Sequence, residues 1–173
     1  DSASWLEELN QLDTYIKNYR KNIIKNNPEN LLSMLLVAMQ EPELPETLKI
    51  QKTKTDSLNA YYYFKNHYWD GVNFWDGRLA RSSILEFKME KYINEIIYPQ
   101  QDSVIKDIDG MLAYATVDSE MTKFLLLKFV NRYLNQKYMW EDAVFVHLFE
   151  KYFANNTYSW LTEAGRKTIT DRA

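Results

Sequence analysis

Two histidines, a scatter of carboxylates and a dense run of aromatic rings are where chemistry could reside in this 173-residue chain. His67 is followed three residues on by Asp70, the spacing at which an imidazole and a carboxylate meet on one helix face. One such pair makes a local hydrogen bond but falls short of the ligand set of a metal centre. His147 stands in "AVFVHLFEKY", where its apolar neighbours point to a structural imidazole hydrogen-bonded at the edge of a core. Glu86 and Glu90 stand one helical turn apart. Glycoside hydrolysis needs such carboxylates across a cleft with one pKa raised, and the nearby Lys88 and Lys91 make a hydrated charged face the simpler reading. Asp102, Asp107 and Asp109 crowd Gly110, but a calcium loop alternates its oxygen ligands, and Val104, Ile105 and Ile108 break that series with a helical period. No nucleotide-binding glycine pattern, HExxH or GxSxG occurs. The residues therefore imply no catalytic constellation, no metal ligand and no cofactor, and an expectation that this chain is not itself an enzyme.

The densest feature is "YYYFKNHYWDGVNFWDGRLARS" at residues 61–82. Consecutive helical residues advance by about 100° around the axis, so Tyr61, Tyr62, Tyr63, Phe64, Tyr68 and Trp69 cannot all face one side. Some rings must pack inward while others line a seam, a groove or the surface. A groove of this kind could take a peptide or a sugar, with Asp70, Asp76 and Arg78 as polar anchors. The competing reading has Trp69, Phe74 and Trp75 covering the end of a helical bundle while Asp70 and Asp76 bond to their own turns. The candidate interface or ligand-contact residues are His67, Trp69, Asp70, Phe74, Trp75, Asp76, Arg78 and Trp160. A hydrolase using the same cleft, with Glu86 or Asp76 as acid or base, is the enzymatic alternative.

The elements that must position these residues read as helices. Glycine and proline each occur only four times, and apolar residues recur three and four apart along most of the chain. The fold class expected is all-α, a compact multi-helix bundle or stacked helical hairpins of about seven helices. Trp5, Leu9, Leu12, Ile16, Tyr19 and Ile23 stripe a first helix over residues 4–25, and Asn27-Pro28 cap a second that runs to Gln40, apolar nearly all round and central to the core. Residues 41–55, "EPELPETLKIQKTKT", form a surface loop within a single domain spanning 1–173. Further helices are expected over 56–69, 84–97, 102–115, 120–136, 140–154 and 162–171. Ser83 with Glu86 makes a capping box for the second of these, and Asp118 or Ser119 caps the fourth. Gly110, inside a helical pattern, implies a close helix crossing.

Composition bounds the function classes. With no cysteine, these residues perform no thiol chemistry and bind no thiolate-held zinc. A net charge of −3 with signs interspersed offers no track for nucleic acid. The longest apolar run, Leu31 to Met39, is about half of what a transmembrane helix requires. The opening Asp1-Ser2-Ala3 lacks an initiator methionine, which suggests that a signal peptide, an upstream domain or an expression artefact lay before it.

Three stretches read together carry a resemblance: "NNPENLLSMLLVAMQEPELPE" at 27–46, "YYYFKNHYWDGVNFWDGRLARSSIL" at 61–85 and "EDAVFVHLFEKYFANNTYSWL" at 141–161. Together they resemble an uncharacterised helical domain of secreted, envelope-associated Bacteroidetes proteins. Tyr63, His67, Tyr68, Trp69, Asp70, Phe74, Asp76, Arg78 and Leu79 match its aromatic helix-loop motif. Asp142, Ala143, Val144, His147, Leu148, Glu150, Lys151, Tyr152 and Trp160 match its later one. That resemblance implies a small β-rich domain before the helical part, a following thioredoxin-like or peroxiredoxin-like domain as partner, an extracytoplasmic location in the periplasm or envelope, and an accessory role in thiol-disulfide exchange. It implies that this part positions the redox domain, contacts client proteins or assembles oligomers. The terminal "LTEAGRKTITDRA" would then lead as an amphipathic helix into the next domain.

Overall fold

The computed structural model describes residues 2–173, with side chains from Ser4 onward; the expectation for Asp1 lies outside the described residues. The chain is all-α: among the described residues there are nine α-helices and no strand. Its contacts divide it into two compact units. The first comprises the described part of Asp1–Asn73 together with Ser82–Lys88, and the second Phe74–Arg81 together with Met89–Ala173.

In the first unit, α1 (Ser2–Asn26) is followed by α2 (Leu31–Ala38), the single-turn α3 (Glu46–Lys49), α4 (Lys54–His67) and the opening turns of α5 (Ser83–Lys91). The cap of α2 is Asn30, whose side chain accepts from Leu32 N at 3.0 Å, rather than Asn27. Asn27 instead accepts from Asn30 N at 3.1 Å, so Pro28 is taken up by the turn between the helices. Nor is α2 central: Ser33, Met34 and Ala38 are buried, while Leu31, Leu32 and Met39 face solvent. Residues 41–55 contain α3 and the start of α4. Thr53 and Asp56 form a reciprocal capping box, with Asp56 N donating to Thr53 Oγ1 at 3.1 Å and Thr53 N to Asp56 Oδ2 at 2.9 Å, and so start α4 upstream of Asp56. The stripe on α1 is exposed instead of buried, because α2 half-covers only Ile23 and Ile24 near its end. Ser82 Oγ accepts from Ile84 N at 3.0 Å, leaving Ser83 as the first helical residue of α5.

The second unit holds a short 3-10 turn (Leu79–Arg81), the end of α5, α6 (Gln101–Ala115), α7 (Ser119–Leu134), α8 (Met139–Leu148) and α9 (Glu163–Arg172). Its core gathers Leu112 and Ala115 of α6, Leu125, Leu126 and Phe129 of α7, and Val144, Phe145 and Leu148 of α8, all buried. Asp118 caps α7 by accepting from Met121 N at 2.9 Å. Gly77 abuts that carboxylate so closely that a Cβ there would collide with it. Two helices widen at their ends into π turns, Tyr92–Ile96 after α5 and Phe149–Phe153 after α8. They are closed by Ile97 N donating to Tyr92 O at 2.9 Å and Ala154 N to Phe149 O at 2.8 Å. The close crossing expected at Gly110 is absent: an added Cβ there would meet no atom within 4 Å. No helix among the described residues is long and apolar enough to cross a membrane.

Candidate functional site

In the first unit the aromatic stretch encloses a cation. Lys88 is 7% exposed, contrary to the hydrated face expected for it. Its Nζ donates to the Gln40 carbonyl at 2.6 Å and lies 4.3 Å from the Tyr68 ring centroid and 5.8 Å from that of Trp69. Tyr68, itself buried, donates its hydroxyl to the Lys88 carbonyl at 3.1 Å and meets Trp69 edge to face at 5.1 Å. Burying an ammonium is expensive unless hydrogen bonds and ring faces replace water, and here both do. Sequence reading placed Lys88 from its charge and its charged neighbours; the rings that cover it come from elsewhere in the chain. Elsewhere in the same unit, His67 Nδ1 donates to Asp70 Oδ2 at 2.7 Å, the contact that the three-residue spacing predicted. His67 also packs on Tyr63, with ring centroids 4.2 Å apart.

The second unit carries the rest of the aromatic loop. Phe74 is buried, whereas Trp75 is 53% exposed. Arg78 grips Asp76 through Nη2 at 2.6 Å and Nε at 3.0 Å, and its backbone N–H donates to the same carboxylate at 3.0 Å. The Arg78 hydrogen bonds outweigh partial burial and hold the Asp76 carboxyl below its usual range. That is the opposite of what a general acid requires. Glu90 is similarly held down, chiefly by Lys128 at 2.8 Å, against a desolvation that favours its neutral form.

A cluster that sequence reading did not assemble lies where α6 meets the end of α8. Asp109, half-buried, accepts from His147 Nε2 at 3.0 Å, Lys151 Nζ at 2.8 Å and Tyr152 Oη at 2.7 Å. His147 is in the last turn of α8, and Lys151 and Tyr152 lie in the π turn behind it. The wider turn is what lets residues four and five beyond His147 both reach one carboxylate. Desolvation pushes the Asp109 carboxyl up, but the bonds from Lys151, His147 and Tyr152 prevail and keep it below the ordinary value. Burial and the Asp109 charge drive the Tyr152 phenol well above its normal range, so it remains a proton donor. Tyr158 donates to the Tyr152 carbonyl at 2.8 Å and stacks on the half-buried Trp160 at 4.8 Å, which ties Trp160 to this cluster. His147 at the edge of the core was legible; its partner, 38 residues away, was not. The spacing of His147 and Lys151 on one face was the only local signal.

The structure thus brings together His67 with Asp70, Asp76 with Arg78, and Trp160 with the Asp109 cluster. Among the described residues no group of three or more histidines and carboxylates is placed to hold a metal ion. A family model described as a domain of unknown function, DUF5106, matches residues 11–171. The chain belongs to the DUF5106 family. The match takes in the Lys88 enclosure, the Asp76–Arg78 pair and the Asp109 cluster, so all of these lie within the DUF5106 domain, which begins part-way along α1. No curated protein and no solved structure matches the chain.

Proposed function

We propose that this DUF5106 domain is a non-catalytic accessory and interaction domain of a thioredoxin-like thiol-disulfide oxidoreductase, working in the periplasm or cell envelope. The family resemblance supplies that context. The observation that carries the accessory role is the state of the site's acids: Asp76, Glu90 and Asp109 are each clamped by cations and held ionised, which suits a rigid scaffold better than proton transfer. Thiolate attack on a disulfide needs cysteine, which these 173 residues lack, so the reaction would belong to a neighbouring domain. Exposed rings such as Trp75 supply contact area for a client or for that domain.

The test is disulfide reduction by the full-length protein, on insulin and on a client trapped by mixed-disulfide cross-linking. Trp75→Ala should leave insulin reduction unchanged and slow turnover of the trapped client about tenfold. A full-length protein without disulfide-reducing activity would remove the redox context. A second reading, a glycan- or peptide-binding module, draws on the half-buried Tyr158–Trp160 stack, whose outer ring face is the type of surface a sugar packs against. Saturable quenching of tryptophan fluorescence by a soluble oligosaccharide, abolished in Trp160→Ala, would favour it.

A further inference from the structure

From Trp5 to Tyr19 the apolar stripe of α1 has no cover in the structure, and only Ile23 at its end is half-covered, by α2. Trp5, Leu9, Leu12, Ile16 and Tyr19 are 68%, 56%, 54%, 37% and 58% exposed, and Leu6 and Tyr15 beside them are 62% and 67% exposed. Single exposed apolar residues are ordinary, but a continuous band along a 25-residue helix, about 37 Å long, is the mark of an interface. From Trp5 to Ile23 the band steps by four, three, four, three and four residues, the seam of a coiled coil.

Two further observations identify the occupant. The charges of α1 are segregated, with Glu7, Glu8 and Asp13 in its first half and Lys17, Arg20, Lys21 and Lys25 in its second. A parallel copy would set like charge on like, whereas an antiparallel copy sets acid on base. The same order also suits the helix's own macrodipole, so charge alone does not decide. The seam does. Reversed on itself about Thr14, it pairs Trp5 with Ile23 of the second copy, Leu9 with Tyr19 and Leu12 with Ile16, every layer sharing one midpoint and each large ring facing an aliphatic side chain. We propose that α1 is a self-association helix through which two copies of this chain pair antiparallel about a two-fold axis level with Thr14. Such an isologous contact closes on itself and leaves no open seam to propagate. This inference is independent of the redox reading above.

The test is sedimentation of the 173-residue chain from low micromolar to several hundred micromolar concentration. A monomer–dimer equilibrium is expected, with Leu12→Glu raising the dissociation constant at least about tenfold. Leu12 is half out in solvent, so that variant should keep its helical circular dichroism. As a second variant, Arg20→Glu with Lys21→Glu should weaken the dimer while leaving the apolar seam intact. The chain has no thiol of its own, so orientation can be read by oxidation. An equal mixture of Leu9→Cys and Tyr19→Cys chains should form the mixed disulfide faster than either forms its own. A monomer at every concentration, a dimer indifferent to Leu12→Glu, or Leu9→Cys cross-linking to itself as fast as the mixture would each overturn the proposal. Monomeric protein captured through α1 by lipid vesicles or by another protein would do the same.

Discussion

Asp109 is a carboxylate on which three donors converge from one stretch of α8 and its π turn. Its carboxyl lies below the ordinary value of 3.8 in the folded chain, so on acidification the unfolded chain takes up this proton first. The cluster's contribution is therefore whole above that value and fades as pH falls through it toward the lower folded one. Asp109→Asn should cost roughly 1–3 kcal/mol at neutral pH, and it should lose less stability than the parent on going to pH about 3. Urea melts at the two pH values measure both. Tyr68→Phe in the first unit removes one buried hydrogen bond to the Lys88 carbonyl and should cost about 1 kcal/mol by the same assay.

At the scale of elements, the helices themselves were legible because periodicity and breakers are local properties, while their ends depended on which side chain reached an orphan amide. Asp118 was a readable cap for α7, but the tight fit of Gly77 against its carboxylate was not, since the two are far apart in sequence. Gly77→Ala should push that carboxylate off the Met121 amide and destabilise the protein by about 1–2 kcal/mol. Gly110→Ala should do the reverse. With open space at the Cβ position and a helical backbone, it should stabilise by roughly 0.5–1 kcal/mol, where a close crossing would have made it damaging. Thermal melts of the two variants should shift in opposite directions. The π turns had no sequence signature: nothing in "FEKYF" separates a wide turn from an α-helical one, and it is the reach of Lys151 and Tyr152 to Asp109 that marks it.

At the scale of the whole molecule, a 25-residue helix with an exposed heptad seam should make stability depend on concentration. Association of folded chains favours the folded state by mass action, so the midpoint of thermal unfolding should rise as the chain is concentrated, and Leu12→Glu should flatten that rise. Differential scanning fluorimetry over a wide dilution series measures it. The stripe itself was plain in the sequence; that it faces solvent was not. A period of three and four states which side chains share a face and says nothing of what that face meets.

The sequence by itself determined the all-α class, through sparse glycine and proline and an almost unbroken helical period. It determined that no thiol chemistry occurs within these residues, and it placed His67 beside Asp70, because three residues across a helix end and the turn that follows leave the two side chains within reach of each other. Tertiary structure alone decided that Lys88 lies under Tyr68 and Trp69, that α1 shows its apolar seam to solvent, and that Asp109 joins His147, Lys151 and Tyr152 across separations of 38, 42 and 43 residues. The reason is the same in each case. Backbone geometry sets relations within a few residues, whereas relations across the chain are set by which helix faces pack together, and many pairings satisfy the same local pattern.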